Sequence, residues 1–277
     1  MIFSLLESLL FRLPFIPGRI RILSKLLDVF KVHGIRTGRW TEGFRMECDL
    51  SFNFERAIYL GLYDLEELAV VQKLFKGSGT FMDCGANLGV YSMFAANKVR
   101  RNDCVIGIEP NPSIFKRFVR NVEINRFESF VQTRQAAISS QSGSAILEIP
   151  AYTHTMASLN HEAATNADPD IEKLEVPLVT IDDLAKDRLI EGMKIDIEGH
   201  ELPALEGASK TLKNDKPWML LEYNPSLATG STLADWPVHQ LLSDQGYRAR
   251  LINKLDEAPL ESDWKAIGTT NLLYQNN

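Results

Sequence analysis

Short apolar segments that end in turn residues alternate with helical patterns between residues 79 and 246 of this 277-residue chain. Each apolar segment has the length of a buried strand and is too short for a buried helix. The five segments are GTFMDCG (79–85), DCVIGIEP (103–110), ESFVQTRQAAIS (128–139), EGMKIDIEG (191–199) and KPWMLLEYNP (216–225). Strands that alternate with helices predict an α/β fold with a mostly parallel, doubly wound sheet.

Two further strand patterns, 247–254 and 269–277, follow without a helical pattern between them. Strands joined in this way pair antiparallel, because a parallel pair needs a long crossover connection. We therefore expect a Rossmann-like doubly wound domain whose C-terminal edge is an antiparallel hairpin.

The predicted domain runs from residue 44 to residue 277. Its first part, 44–78, has an alternating pattern over 44–54 that predicts a strand, followed by a helical pattern, and we interpret it as a cap on the sheet. The segment 143–179 consists of two strand patterns around a polar stretch, which indicates an inserted loop. Residues 1–43 are expected to form a helical extension.

Residues 1–33 combine apolar positions at helical spacing with five basic and two acidic residues, a net charge of +3. Glu7, Arg12 and Pro14 interrupt the apolar start, so it is too short and too charged to span a bilayer. Two interpretations stay open. The segment is either a helix that packs on the domain or on a second subunit, or an amphipathic arm on an anionic membrane surface.

The charge and the cysteines restrict the function. Thirty Lys and Arg against 36 Asp and Glu give a formal net charge of −6. This balance disfavours nucleic-acid binding, because contacts to phosphates require a basic surface. Cys48, Cys84 and Cys104 cannot all pair and follow no metal-binding spacing, so we expect reduced thiols in a cytoplasmic protein.

The first buried strand ends in an acid and a glycine turn, DCGANLG (83–89). In doubly wound sheets, ligands bind at this end of the strands. Gly85 permits a tight turn, and Gly89 lets the next helix begin close to a ligand. The sequence lacks the G-x-G-x-x-G pattern of nicotinamide and flavin sites. The carboxylate of Asp83 would repel a pyrophosphate and suits a cationic ligand instead.

The second strand ends in another acid, Glu109. A carboxylate at this position can accept two hydrogen bonds from a ribose diol. Together with Asp83 and the glycine turn, it fits S-adenosylmethionine, which has a sulfonium, an ammonium and a ribose but no phosphate. In the structural alternative, Asp83 caps the following helix and Glu109 is solvated.

The fourth strand and the turn after it have four ionisable residues, Lys194, Asp196, Glu198 and His200. Alternation along a strand places the first three on the same side. Buried charges are costly unless they are paired or functional, so we interpret the three that follow Lys194 as candidate catalytic residues. The alternative is a buried Lys–carboxylate pair beside an acid-rich helix N-terminus.

The residues at these strand ends resemble the FkbM family of S-adenosylmethionine-dependent methyltransferases. The similar segments are FMDCGANLGVYS (81–92), VIGIEPNP (105–112), VTIDDL (179–184), MKIDIEGHELPALEGA (193–208) and MLLEYNP (219–225). The resemblance extends from about residue 57 to residue 275. It implies a class I methyltransferase fold with a seven-stranded sheet, and methylation of hydroxyl oxygens of sugars or macrolide-type polyketides.

By motif match, the resemblance also implies which residues bind the cofactor, S-adenosylmethionine. Asp83, Gly85, Asn87 and Gly89 would surround the methionine end of the cofactor. Glu109 would hold the ribose, with Asn111 nearby, and Ala136 and Ala137 would face the adenine. Asp196 would lie between the cofactor and the acceptor.

Methyl transfer from a sulfonium is an in-line displacement, so the main task of an enzyme is to hold the acceptor oxygen in line. A base assists, because an alcohol is a poor nucleophile. We expect Asp196 to act as this base or to orient the acceptor, with Glu198 and His200 as the other candidates. A divalent metal on Asp196 and Glu198 is less favoured, since the sequence shows no third ligand.

The preferred acceptor is a small molecule or a glycan, and two alternatives stay open. EYNP (222–225) partly resembles the N-P-P-Y motif of enzymes that methylate nucleic acids or protein amides, but it follows the fifth strand instead of the fourth. The other alternative is a protein that binds the cofactor without catalysis. We expect acceptor recognition in the first 56 residues and in the loop 151–172, which contains Tyr152, His154, Met156 and His161.

Overall fold

The computed structural model describes residues 19–150, 159, 171–227, 232–252 and 268–276. Its centre is a seven-stranded sheet. In spatial order the strands are β11 (Tyr247–Leu251), β12 (Thr270–Asn276), β10 (Trp218–Tyr223), β9 (Ile190–Ile195), β3 (Thr80–Cys84), β4 (Val105–Ile108) and β5 (Val131–Arg134). The prediction of a mostly parallel α/β sheet is confirmed, and each of the five predicted buried strands is present.

Within this sheet, β12 runs antiparallel to both its neighbours, β10 and β11, and the other strand pairs are parallel. The predicted C-terminal hairpin is therefore confirmed as an antiparallel pair. Only β12 runs opposite to the other strands of the sheet, because it lies between β10 and β11 and is antiparallel to both. The chain order reverses between β3 and β9, which pair in parallel. Doubly wound sheets bind their ligands at such a switch point.

Helices cover both faces of the sheet, because successive side chains of a strand point to opposite faces. Phe81 and Met82, neighbours on β3, belong to the two different buried apolar clusters. The helices on the Phe81 face are α1 (Arg19–Val29), α2 (Asn53–Tyr59), α3 (Leu65–Leu74), α4 (Val90–Val99) and α5 (Pro112–Asn125). Those on the Met82 face are α6 (Ile181–Leu184), α7 (Glu201–Glu206), α8 (Ser209–Asn214) and α9 (Pro237–Asp244).

The N-terminal part differs from the helical extension predicted for residues 1–43. Residues Ile35–Arg39 form strand β1, which pairs antiparallel with β2 (Arg45–Asp49). The alternating pattern predicted a strand over 44–54, but β2 ends at Asp49 because α2 begins shortly after it. Alternation alone does not show where a turn interrupts the strand.

The predicted insertion, 143–179, contains two long antiparallel strands, β7 (Gly143–Pro150) and β8 (Ile171–Val179). With the short strand β6 (Ala137–Ile138), they form a separate three-stranded sheet. The loop candidates for acceptor recognition lie outside the described residues: Tyr152, His154, Met156 and His161.

Among the described helices, none combines the length and the apolar composition that a membrane crossing needs. The three cysteines, Cys48, Cys84 and Cys104, are buried and free, as predicted. Burial raises the pKa of each thiol.

Candidate active site

A cavity of about 260 Å³ opens at the carboxyl ends of the central strands, at the switch point of the sheet. Eight of the eleven predicted site residues line it, namely Gly85, Asn87, Glu109, Ala136, Ala137, Asp196, Glu198 and His200. The other three, Asp83, Gly89 and Asn111, are not among its lining residues. The structure therefore brings eight of the predicted residues together at one cavity, and their contacts to a ligand stay predictions.

Gly85 forms the turn that brings the ends of β3 and β9 together. Its φ is +79°, and a Cβ atom there would lie 1.9 Å from the carbonyl oxygen of Asp196. The backbone N–H of Asp196 in turn donates to the carbonyl of Cys84, at 3.1 Å. Glycine is required at position 85 because a side chain would push the Asp196 turn away from the cavity.

Asp83 is 1 % exposed, and its carboxylate binds protein groups. Oδ2 accepts hydrogen bonds from the backbone N–H of Ser92, at 2.9 Å, and from its hydroxyl, at 2.6 Å. Burial raises the pKa of Asp83 to about 6, although both bonds from Ser92 lower it. Ser92 lies in the first turn of α4, so Asp83 caps that helix, which is the alternative that the sequence had left open.

Gly89, for which the sequence predicted a ligand contact, packs closely against a neighbouring helix. Its φ is +87°, and a Cβ atom there would lie 2.3 Å from the ring of Phe118 on α5. The missing side chain therefore lets α4 begin against α5. Sequence spacing alone could not distinguish a close approach to a ligand from a close approach to a neighbouring helix.

Glu109 lines the cavity at the end of β4 and is 7 % exposed. Its Oε2 accepts from the backbone N–H of Asn87 and its Oε1 from that of Asn111, both at 2.9 Å. Burial raises the pKa of Glu109 to about 7, against the effect of these two bonds. Each carboxylate oxygen can accept a further bond, so the group is held in place and can still bind a ligand.

Asn87 and Asn111, which hold Glu109, differ in their own surroundings. Asn87 lines the cavity with a φ of +51°, and its buried Oδ1 has no hydrogen-bond partner within the described residues. A ligand N–H or O–H could satisfy that acceptor. Asn111 is the N-cap of α5, where its Oδ1 accepts from the backbone N–H of Ser113 at 3.0 Å. Its effect on the cavity is therefore exerted through Glu109.

Lys194 is 2 % exposed and lines the cavity below Asp196. Its Nζ donates to Oδ2 of Asp196 at 3.1 Å and to Oδ1 of Asn271 at 3.0 Å, and lies 5.6 Å from the ring centre of Tyr91. Burial lowers the pKa of Lys194, but the surrounding carboxylates, led by Asp196, outweigh burial and raise it. The buried Lys–carboxylate pair is thus present, and its carboxylate also faces the cavity.

Glu198 and His200 follow the end of β9 and line the same cavity. Strand alternation was expected to place Glu198 on the same side as Asp196, but the strand ends at Ile195. Glu198 instead reaches the cavity from the turn after the strand, where its φ is +53°. Burial, with repulsion from Asp196, raises the pKa of Glu198 to about 7. Nε2 of His200 lies 3.1 Å from Oγ of Ser139, and burial lowers the pKa of this imidazole.

Glu222, at the end of β10, also lines the cavity, and the sequence analysis did not select it. Burial and the neighbouring carboxylate of Asp196 raise the pKa of Glu222. The pattern that identified Glu109, an acid at the end of a predicted parallel strand, would also have identified Glu222. Carboxylate oxygens of Asp196, Glu198 and Glu222 lie within 4.8 Å of one another, so the third carboxylate that the sequence did not reveal is present.

One cavity is therefore lined by the glycine turn at Gly85, by Glu109 at the end of β4 and by Asp196 after the end of β9. Residues 83–249 match the family model described as the methyltransferase FkbM domain. The chain belongs to the FkbM methyltransferase family. The seven-stranded sheet with β12 reversed gives this family member the class I methyltransferase fold that the sequence predicted.

Two curated relatives are similar to this FkbM family member. Hexuronic acid methyltransferase AglP from Haloferax volcanii is 27% identical over 140 residues, which cover 48% of this chain and 51% of AglP. Methyltransferase sdnD from Sordaria araneosa is 24% identical over 194 residues, which cover 60% of this chain and 72% of sdnD. The match thus spans about half the length of AglP.

Solved structures are similar at lower identity. Methyltransferase FkbM from Methylobacillus flagellatus is 17% identical with a TM-score of 0.43, covering 80% of this chain and 54% of that one. The protein PH0793 from Pyrococcus horikoshii is 14% identical with a TM-score of 0.47, covering 93% of this chain and 82% of that one.

Proposed function

We propose that this FkbM family protein transfers a methyl group from S-adenosylmethionine to a hydroxyl oxygen of a sugar, a glycan or a polyketide-type acceptor. One observation carries the proposal. A single cavity is lined at one strand end by Glu109, held by two backbone N–H groups, and at another by Asp196, held by Lys194.

The cofactor would occupy the part of the cavity around Glu109. The carboxylate would accept hydrogen bonds from the ribose diol, and the buried Oδ1 of Asn87 would accept one from a hydroxyl or an ammonium. Ala136 and Ala137 would offer a small apolar wall to the adenine. The acids of the cavity favour a cationic donor without phosphate over a dinucleotide.

The acceptor hydroxyl would lie near Asp196. Its oxygen attacks the methyl carbon as the carbon–sulfur bond breaks, and the hydroxyl proton passes to a carboxylate of the cavity. Lys194 fixes Oδ2 of Asp196, which limits the carboxylate to one orientation and makes Asp196 the first candidate for this base. Glu198 and His200 are the alternatives on the same turn.

The acceptor has room beside this cavity. A second cavity of about 410 Å³ adjoins the first and shares Leu159, His200 and Glu222 with it. Trp236 and Asn224 also line this second cavity, and an aromatic ring with polar neighbours suits a sugar ring. The relative AglP is named a hexuronic acid methyltransferase, which supports a sugar acceptor for this chain.

Two assays test the proposal. Calorimetry should show one S-adenosylmethionine bound per chain and no binding of NAD. Methyl transfer should then be found within a panel of hydroxyl acceptors that includes hexuronic acids. Binding of NAD instead of S-adenosylmethionine would refute the proposal, and binding without turnover across the panel would favour the non-catalytic alternative.

Substitution of the candidate base separates binding from catalysis. Asp196→Asn should leave the Kd for S-adenosylmethionine within about threefold and lower kcat by at least about 100-fold. Asp244→Asn, at an exposed position on α9, is the matched control and should change neither. Unchanged turnover in Asp196→Asn would remove Asp196 from the mechanism.

A further inference from the structure

Exposed apolar side chains are concentrated in the N-terminal part of the described chain. Eight large apolar side chains are exposed in the described residues, and five of them lie between residues 20 and 35. These are Ile20 (40 % exposed), Ile22 (56 %), Val29 (72 %), Phe30 (42 %) and Ile35 (57 %). An exposed apolar patch of this kind marks a surface that binds another molecule or a membrane.

The same segment is basic. Residues 20–39 contain five basic residues and one acid, a net charge of +4 on a chain of net charge −6. All five basic side chains are exposed: Arg21, Lys25, Lys31, Arg36 and Arg39. The single acid, Asp28, pairs with Arg56 at 2.8 Å, so it does not offset the basic side chains around it.

The packing of α1 fixes which side of the helix faces outward. Leu23 and Leu27 are buried in the core, and the Asp28–Arg56 pair ties α1 to α2. Ile22 and Val29 are seven residues apart, and Lys25 lies between them at helical spacing. These positions share one face of the helix, so a stripe of apolar, basic and apolar side chains points away from the core.

We propose that this N-terminal face, made of Ile22, Lys25 and Val29 with the neighbouring Arg21 and Lys31, docks on the surface of a bilayer that contains anionic phospholipid. Basic side chains beside apolar ones are the composition by which interfacial helices bind such a surface. A second copy of the chain fits less well, because a two-fold contact would oppose like charges. Nucleic acid also fits less well, since it would leave the apolar side chains without a partner.

Docking through this face would bring the bilayer close to the candidate active site. The face belongs to α1, α1 packs on α2, and Phe54 and Ile58 of α2 line the cavity. A membrane on the outer side of α1 would therefore lie about one helix diameter, roughly 10 Å, from the layer that lines the cavity. The docking proposal itself does not depend on the proposed methyl transfer.

Vesicle flotation with the full chain tests the proposal. Wild type should float with vesicles of phosphatidylcholine containing about 30% phosphatidylserine, and at least about tenfold less with pure phosphatidylcholine. Raising the salt concentration to about 0.5 M should weaken flotation with the anionic vesicles, because salt screens exposed charges. Equal flotation with both kinds of vesicle would overturn the electrostatic part of the proposal.

Paired variants assign the binding to this face. The double variants I22E/V29E and R21E/K25E should each reduce flotation with anionic vesicles by at least about tenfold. Leu189→Glu, which replaces a side chain that is 50 % exposed elsewhere, is the matched control and should float like wild type. Unfolding temperatures close to that of wild type would show that the variants are folded, since all of these positions are exposed.

Three results would overturn the proposal. One is wild-type protein that floats with neither the anionic vesicles nor the pure phosphatidylcholine vesicles. Another is an I22E/V29E variant that floats as well as wild type, which would assign binding to another part of the chain. The third is a wild-type dimer, seen by light scattering, that I22E/V29E converts to a monomer without any vesicle binding; the face would then be a protein interface.

Discussion

Replacing Lys194 with methionine removes a buried positive charge and keeps a side chain of similar length. In the wild type, Nζ of Lys194 makes hydrogen bonds of 3.1 Å to Asp196 and 3.0 Å to Asn271. Methionine leaves the Asp196 carboxylate without its ion-pair partner and the Asn271 oxygen without its donor. The variant therefore tests whether this pair stabilises the fold and orients the candidate base.

The magnitude follows from the burial of the two partners. Removing one partner of a fully buried ion pair costs about 3–5 kcal/mol. Lys194 has a side chain that is 2 % exposed, but that of Asp196 is 28 % exposed and can gain water. We therefore expect a loss near the lower limit, about 3 kcal/mol, which for a chain of this size lowers the Tm by about 6 °C.

Thermal unfolding, calorimetry with S-adenosylmethionine and a methyl-transfer assay measure the three consequences of Lys194→Met. The Tm should fall by about 6 °C. The kcat should fall at least about tenfold, because Lys194 no longer fixes the orientation of the Asp196 carboxylate. Affinity for S-adenosylmethionine should stay equal or increase, since the variant removes a cation from the wall that faces a cationic ligand. Lys213→Met, at an exposed position on α8, is the matched control and should leave all three unchanged.

Two results for Lys194→Met would refute this reasoning. A Tm within about 1 °C of wild type would mean that the pair with Asp196 contributes nothing to stability. A weaker affinity for S-adenosylmethionine with full turnover would mean that Lys194 binds the cofactor and does not orient the base.

Three more predictions concern the same cavity. The pKa of Glu109 is raised from 4.5 to about 7, so its contribution to stability is full below about pH 4.5 and is lost as the pH rises through 7. Asp83, Glu198 and Glu222, whose pKa values are also raised, add to the loss of stability between pH 5 and pH 8. Urea unfolding at the two pH values should therefore show a fall that is smaller in Glu109→Gln than in wild type by about 2.5 kcal/mol, and equal falls would contradict the raised pKa of Glu109. Methyl transfer should persist in EDTA, because Lys194 already neutralises Asp196; loss of activity in EDTA and recovery with Mg²⁺ would instead make Asp196, Glu198 and Glu222 metal ligands. Gly85→Ala should destabilise by at least about 3 kcal/mol in urea unfolding, against about 1 kcal/mol for Gly34→Ala, whose φ is also positive but whose surroundings are open; equal losses would contradict the role of the Asp196 contact.

The carboxylates at the strand ends show which cavity residues the sequence could predict and which it could not. Glu109 and Asp196 were found because each follows an apolar segment that was recognised as a strand, and both line the cavity. Glu222 has the same kind of position but was considered only as part of a different motif. Asp83 was expected to face the ligand and instead caps α4, since a strand-end side chain can turn toward the following helix as well as toward the site.

Sequence alone determined the alternation of strands and helices, the family resemblance and the strand ends that line the cavity. These properties are local, because they depend on apolar periodicity, turn residues and short motifs along the chain. Tertiary structure decided the rest: that β12 inserts between β10 and β11, that Gly89 makes room for Phe118, and that the outer face of α1 stays exposed. Each of these depends on contacts between residues far apart in the chain, and the local pattern around one residue does not specify its distant neighbour.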